Sequence, residues 1–225
     1  MNVYPVIITL FSGVLFFAAP QSNSFHHSSQ NQTPQSLMTR VRRFVGTQPR
    51  SVSVGGTRSN ENKSVCLLYP GPIKKSNDIS EVIVVDSRPT LFLGSQLNEI
   101  EISSDDDVLW SQMASSKQPI EGQILWPISP IKAEQKLQLG LRPRGVSGGD
   151  WARMTLIGAS KSKMNDYQKV LKTTSGSISK RLKAIDSAIK SNEDSKALAL
   201  LWAEIPSSDK AIKKLRKGAI ANCPN

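Results

Sequence analysis

The 225 residues carry 29 Lys and Arg against 18 Asp and Glu, a net charge of +11, with 38% hydrophobic and 6% aromatic residues. That composition supplies one modest globular core and excludes both a wholly disordered chain and a protein of several membrane spans. Two His and two Cys leave little room for chemistry built on those side chains.

The apolar run Val6 to Ala19 is followed at once by Pro20 and the polar stretch QSNSFHHSSQNQTPQS. Its 14 residues would rise about 21 Å as a helix, short of a hydrocarbon core of roughly 30 Å, which suits a secretory signal better than a span. Residues 1–24 are therefore read as a signal peptide, although an n-region without Lys or Arg leaves an uncleaved anchor open. Residues 25–47 read as a disordered tether, too polar to offset the entropy of ordering, with a basic cluster at Arg40, Arg42 and Arg43. Nothing later is apolar enough to span a bilayer, so the expected address is the periplasm or the cell surface.

Export places Cys66 and Cys223 in an oxidising compartment, where an even pair is most simply a disulfide. His26 and His27 fall in the tether and two lone Cys lack four-ligand zinc spacing. No metal and no cofactor is expected.

Val52 and Val54 alternate like an edge strand before the Gly55-Gly56 turn. From Glu81 onward come short β-type runs: EVIVVD (81–86), TLFLG (90–94), LNEIEIS (97–103), VLWSQ (108–112), IEGQILW (120–126), KLQLGLR (136–142) and WARMTLIG (151–158). Pro, Gly, Asp and Ser separate them, with no helical period between. The pattern predicts a mainly β chain, an antiparallel immunoglobulin-like β-sandwich over 48–158 with Trp110, Trp126 and Trp151 in its core.

The period then changes to 3.6, predicting a small α-helical C-terminal region over 159–225. A first helix covers 163–173, and Ile178, Leu182, Ile185 and Ile189 form one stripe of a second. Asn192 is placed to cap a third, whose Leu198, Leu201, Trp202 and Ile205 share a face before Pro206. A basic helix follows from Asp209 to Lys217, stopped by Gly218.

Candidate chemistry is sparse. With both His in the tether, a Ser/His/Asp or Cys/His constellation has no place in the folded region, and no phosphate-binding glycine loop or HExxH occurs. Glu99 and Glu101 share a strand face about 7 Å apart, a spacing compatible with a carboxylate-dependent glycoside-acting enzyme. An exposed polar sheet face is the simpler reading. Asp105, Asp106 and Asp107 lack the spacing of a calcium loop and read as a solvated turn. Residues 150–225 hold 15 basic against 7 acidic residues, 21–63 hold 6 against 1, and 64–149 hold 8 against 10. The excess therefore belongs to the two ends. Lys210, Lys213, Lys214, Arg216 and Lys217 lie on one short helix and suit a polyanion or an anionic lipid surface. No aromatic residues interleave with them to stack bases, which together with export disfavours nucleic acid.

The GGTR element (Gly55 to Arg58), the nearby Cys66 and the Arg88-Pro89-Thr90-Leu91-Phe92 run resemble exported cyanobacterial proteins of the domain-of-unknown-function family 928. The resemblance implies an immunoglobulin-like β region in the cell envelope and no established activity. The expectation is an exported envelope protein acting as a non-catalytic binding or structural module, its partner an envelope protein or glycan. The first alternative is a polyanion or anionic-lipid binder through the basic helix, and the second is the glycoside-acting enzyme.

Overall fold

The computed structural model describes residues 36–47, 51–55, 64–71, 74–76, 79–105, 107–145, 150–204 and 210–223. The strands are β1 (Ser51–Gly55), β2 (Ser64–Tyr69), β3 (Lys74–Ser76), β4 (Ile79–Val84), β5 (Leu91–Ser104), β6 (Asp107–Met113), β7 (Ile120–Ile124), β8 (Lys136–Pro143) and β9 (Trp151–Gly158). The helices are α1 (Leu37–Thr47), α2 (Lys161–Thr174), α3 (Ile178–Lys190), α4 (Asp194–Trp202) and α5 (Lys210–Ala221). The presumed signal peptide, residues 1–24, lies outside the described residues.

β5 organises the sheet. Leu93 pairs with Leu67 of β2 and Gly122 of β7, so those strands occupy opposite edges of β5. Leu97 likewise pairs with both β7 and β8, and Ile100 with both β6 and β8. β2 and β8 thus follow one edge of β5, and β7 and β6 the other. The expected runs 90–94 and 97–103 are one strand of 14 residues. A register shift between Leu97 and Glu99 turns Leu97 to the same core as Ile100 and Ile102, which strict alternation would not do.

The predicted antiparallel immunoglobulin-like sandwich is not formed. The sheet is mixed and curled: β4 runs parallel to β9 from Ser80↔Met154 to Val84↔Gly158, while β1 pairs with β2 through Ser51–Ser53 and with β9 through Val54 and Gly55. Parallel pairing needs a long crossover, which the stretch from β5 to β8 supplies. β1 is consequently an interior bridge and not the edge strand that its alternation suggested.

Nor are the helices a small appendage. They form a layer whose core includes Tyr167, Ile185, Leu198, Leu201, Trp202, Ile212 and Leu215, together with Cys66, Leu68, Tyr69 and Val85 from the sheet. The opposite face of the sheet encloses a second core with Val65, Leu67, Val82, Val84, Ile100, Leu139 and Met154. β2 alternates between the two, Val65 and Leu67 into one and Cys66 and Leu68 into the other. A strand buried on both faces reads as a continuous apolar run, here VCLLY, and not as an alternation. α4 is buried from Ala197 to Trp202, because it packs against β2, β4, α3 and α5 together.

Three boundaries differ from expectation. Leu37–Thr47, placed in the tether, is α1: Val41, Phe44 and Val45 are buried against the helical layer. Glu193 occupies the N-cap position of α4, while Asn192 adopts φ +55 in the turn before it, a conformation that Asn tolerates better than most residues. α5 also runs through Gly218 to Ala221. Among the sandwich tryptophans, Trp126 is buried, whereas Trp110 and Trp151 are half-buried.

Candidate functional site

Three adjoining helices make a strongly basic surface. α1 packs against both α3 and α5. α1 contains three basic residues, α3 four and α5 five, against a single carboxylate, Asp186. That carboxylate is buried and engaged: Arg40 Nε and Nη2 donate to its two oxygens at 2.6 and 2.9 Å, and Lys190 Nζ lies 3.0 Å away. The hydrogen bond from Arg40, together with that from Lys190, outweighs burial and holds the Asp186 carboxyl below its ordinary range. Asp186 therefore spends its charge inward.

Amphipathicity determines what remains outside. α5 buries Ile212, Leu215 and Ala219, so Lys210, Lys213, Lys214 and Lys217 project from the opposite face and are exposed. On α3 Lys180, Lys183 and Lys190 are exposed, as are Arg42 and Arg43 on α1. The sequence reading identified the α5 lysines but assigned the arginines to a tether and overlooked α3. The missed signal was the apolar spacing Leu37, Val41, Phe44, Val45, which marks a helix and lifts Arg42 and Arg43 to its outer side.

Arg216 does not belong to that outer face. Its Nε and Nη2 donate to the Leu201 carbonyl at 2.9 and 2.7 Å, and Nη2 donates to the Ala203 carbonyl at 2.5 Å. The guanidinium lies 5.3 Å from the Trp202 ring centre and 5.5 Å from that of Phe92. It satisfies carbonyls at the end of α4 and fastens α5 to the sheet.

Cys66 and Cys223 are joined, with Cα atoms 5.7 Å apart. The bridge rests directly on Gly94 of β5, where an added Cβ would stand 2.9 Å from Cys66 Sγ and closer still to Cys223 Sγ. A side chain at 94 would occupy the space of the bridge.

The remaining candidates do not assemble into a reactive group. Glu99 is paired with Arg142 at 2.5 Å across the β5–β8 ladder, and Arg142 and Arg153 lie over the Trp151 ring. Glu101 stands opposite Gly140 and Ser111. Asp105 and Asp107 flank an exposed turn, and no group of three or more His, Cys, Asp or Glu able to hold a metal occurs among the described residues. His26 and His27 lie outside them.

A groove of about 460 Å³ opens beside β4, with Ile83 and Val85 on one wall and Ser162, Lys163, Asp166 and Lys196 on the other. Lys196 bonds Asp166 and, at 3.1 Å, Glu193. Burial opposes the ammonium charge, but these two carboxylates outweigh it and raise Lys196 above its ordinary value. Nearby, the Tyr167 hydroxyl donates to Asp86 at 3.3 Å, and the buried Tyr69 hydroxyl has no hydrogen-bond partner among the described residues. Burial raises Asp86 against the opposing hydrogen bonds from the Arg88 amide and Tyr167.

No family model matches the chain, and neither the curated proteins nor the solved structures provide a match. The resemblance to the domain-of-unknown-function family 928 rests on the quoted residues alone. Among the described residues no helix is long and apolar enough to cross a membrane.

Proposed function

We propose that the chain is an exported, non-catalytic docking protein of the cell envelope whose helical layer rests on an anionic lipid surface. The observation that carries this reading is the composition of α1, α3 and α5, in which the one carboxylate, Asp186, is buried beneath its own cations. Lysines dominate the exposed set, and a flexible ammonium suits a diffuse field better than it suits bidentate recognition of one ligand. Ile178 on α3 and Ile220 on α5 are exposed among these charges and provide apolar contact beside them. Export rests on the apolar run Val6 to Ala19 and is supported by the joined Cys66 and Cys223.

The test is sedimentation of the protein with vesicles of phosphatidylglycerol mixed into phosphatidylcholine, against vesicles of phosphatidylcholine alone and against immobilised heparin. Binding to the anionic vesicles that weakens as salt rises supports the proposal. Each of Lys183→Glu, Lys214→Glu and Lys217→Glu should weaken it by about 1 kcal/mol or more, several-fold in affinity. Equal retention on neutral vesicles, or reversals without effect, would overturn it. Preference for heparin over both vesicle types would move the assignment to an acidic polysaccharide. Thiol labelling of protein recovered from the envelope tests export separately, since two free thiols per chain contradict it.

A further inference from the structure

Among the described residues the sheet has an open edge at β6. β6 pairs with β5 along one side, and among the described residues nothing pairs with its other side. All of β6 is exposed except Trp110, which is half-buried. Val108 is 57% exposed, Leu109 46% and Met113 68%, and Leu125 just after β7 is 70% exposed. The ladder with β5 shifts register between Ile102 and Ser103, which leaves Leu109 unpaired and sets Val108, opposite Ser103, on the face of Ser111 and Met113; Gln112 lies on the other, so both faces of the strand, as well as its free edge, meet solvent.

Edge strands of monomers are ordinarily guarded by lysine, proline, an inward charge or a bulge, because an open row of N–H and C=O groups is a template for another strand. DVLWSQM contains neither lysine nor proline, its one charge, Asp107, stands at the end, and its one irregularity, at Leu109, leaves Trp110 to Met113 regular and open. We propose that β6 is the pairing edge of a two-fold dimer, adding antiparallel to β6 of a second copy.

The distribution of charge selects a second copy as the occupant. The strand begins beside exposed Asp105 and Asp107 and ends beside exposed Lys117 and Arg144, the latter donating to the Ser116 carbonyl at 3.0 Å. Antiparallel pairing about Trp110 brings the acidic start of each copy to the basic end of the other, and the symmetry repeats this twice. In that register Trp110 faces its own copy, and the regular stretch Ser111 to Met113 of each copy runs along the bulged start, Asp107 to Leu109, of the other. No two like charges stand opposite each other, and the central pair is aromatic, both favourable in cross-strand pairing. A contact in which the same patch serves both partners closes on itself and stops at two chains.

Sedimentation equilibrium of the full chain over a concentration series tests this. The expected result is a mass that rises from one chain toward two and no further. Leu109→Lys combined with Met113→Lys should weaken association at least tenfold, with a thermal midpoint matching the parent's at a concentration low enough that both are single chains, because both side chains are exposed. Asp107→Lys should also weaken it, by setting lysine toward the Lys117 end, and addition of Lys117→Glu should restore it. The charge swap keeps the test informative if the apolar pair of substitutions impairs folding. A parent that stays a single chain at every concentration overturns the proposal. So does a dimer indifferent to these substitutions, or growth beyond two chains.

Discussion

Arg40 grips Asp186 with two hydrogen bonds across a separation of 146 residues, joining the N-terminal helix to α3. The partner of a buried carboxylate here comes from a segment whose composition reads as a tether. The pairing depresses the Asp186 pKa, so the proton binds the unfolded chain more readily than the folded one. The stability it contributes is complete above the unfolded value of about 4 and disappears as pH falls through the lower folded value. Urea midpoints of the parent and of Asp186→Asn should therefore differ at pH 7 and converge in acid. A difference independent of pH would contradict this assignment.

Asp86 predicts the opposite slope. Burial raises its folded pKa, so the folded state holds the proton longer and stability declines as pH rises from about 4 through the raised value. Asp86→Asn should flatten that decline and match or exceed the parent at pH 7. The measurement is the thermal midpoint of both proteins from pH 4 to neutrality.

The bridge between Cys66 and Cys223 spans a sequence separation of 157. A loop of that length restricts the unfolded chain by about 5 kcal/mol in the entropy model, an upper figure for what reduction or Cys66→Ser with Cys223→Ser should cost. Gly94→Ala should cost about 1–3 kcal/mol by overpacking in the oxidised protein. Its cost should shrink once the bridge is removed, because the two sulphurs are the atoms its methyl group meets. Denaturation of the four combinations measures that coupling.

Arg216 and Lys214 separate structure from docking within one helix. Arg216→Lys should lose about 2 kcal/mol of stability, since an ammonium cannot reproduce the fork that reaches both Leu201 and Ala203. Lys214→Glu should leave stability nearly unchanged and weaken binding to anionic vesicles. A reversal of these roles, read by urea melts beside vesicle sedimentation, would refute the division drawn between them.

The local signals were legible where one face of an element is wet. KLQLGLR alternates because Gln138 and Arg142 are half-buried opposite the fully buried Leu137, Leu139 and Leu141, and β8 falls where alternation places it. α2 through α5 overlap the stretches that their periodicity marks, but their ends differ: α4 stops at Trp202, short of Ile205, and α5 runs past Gly218 to Ala221. The signals failed where burial is two-sided or irregular. VCLLY has no polar face to reveal its period, so β2 went unread, and with it the wall shared by both cores. The parallel pairing of β4 with β9 is a property of chain path that neither segment expresses alone. At the candidate surface, the basic residues were visible as a composition, but which of them face outward depends on partners distant in sequence. Arg216 is turned inward by carbonyls of α4, whereas Arg42 and Arg43 are carried outward by the apolar side of α1.

The two-faced burial of β2 has a consequence for how the protein comes apart. Removing the helices would leave Cys66, Leu68 and Tyr69 facing water, and disrupting the curled sheet would withdraw the floor beneath Trp202 and Leu198. Neither half has a finished surface of its own. A chain shortened to the strands through Gly158 should be insoluble or expanded, and the intact protein should unfold in one cooperative step, with amides on both sides of β2 exchanging at the rate of global opening.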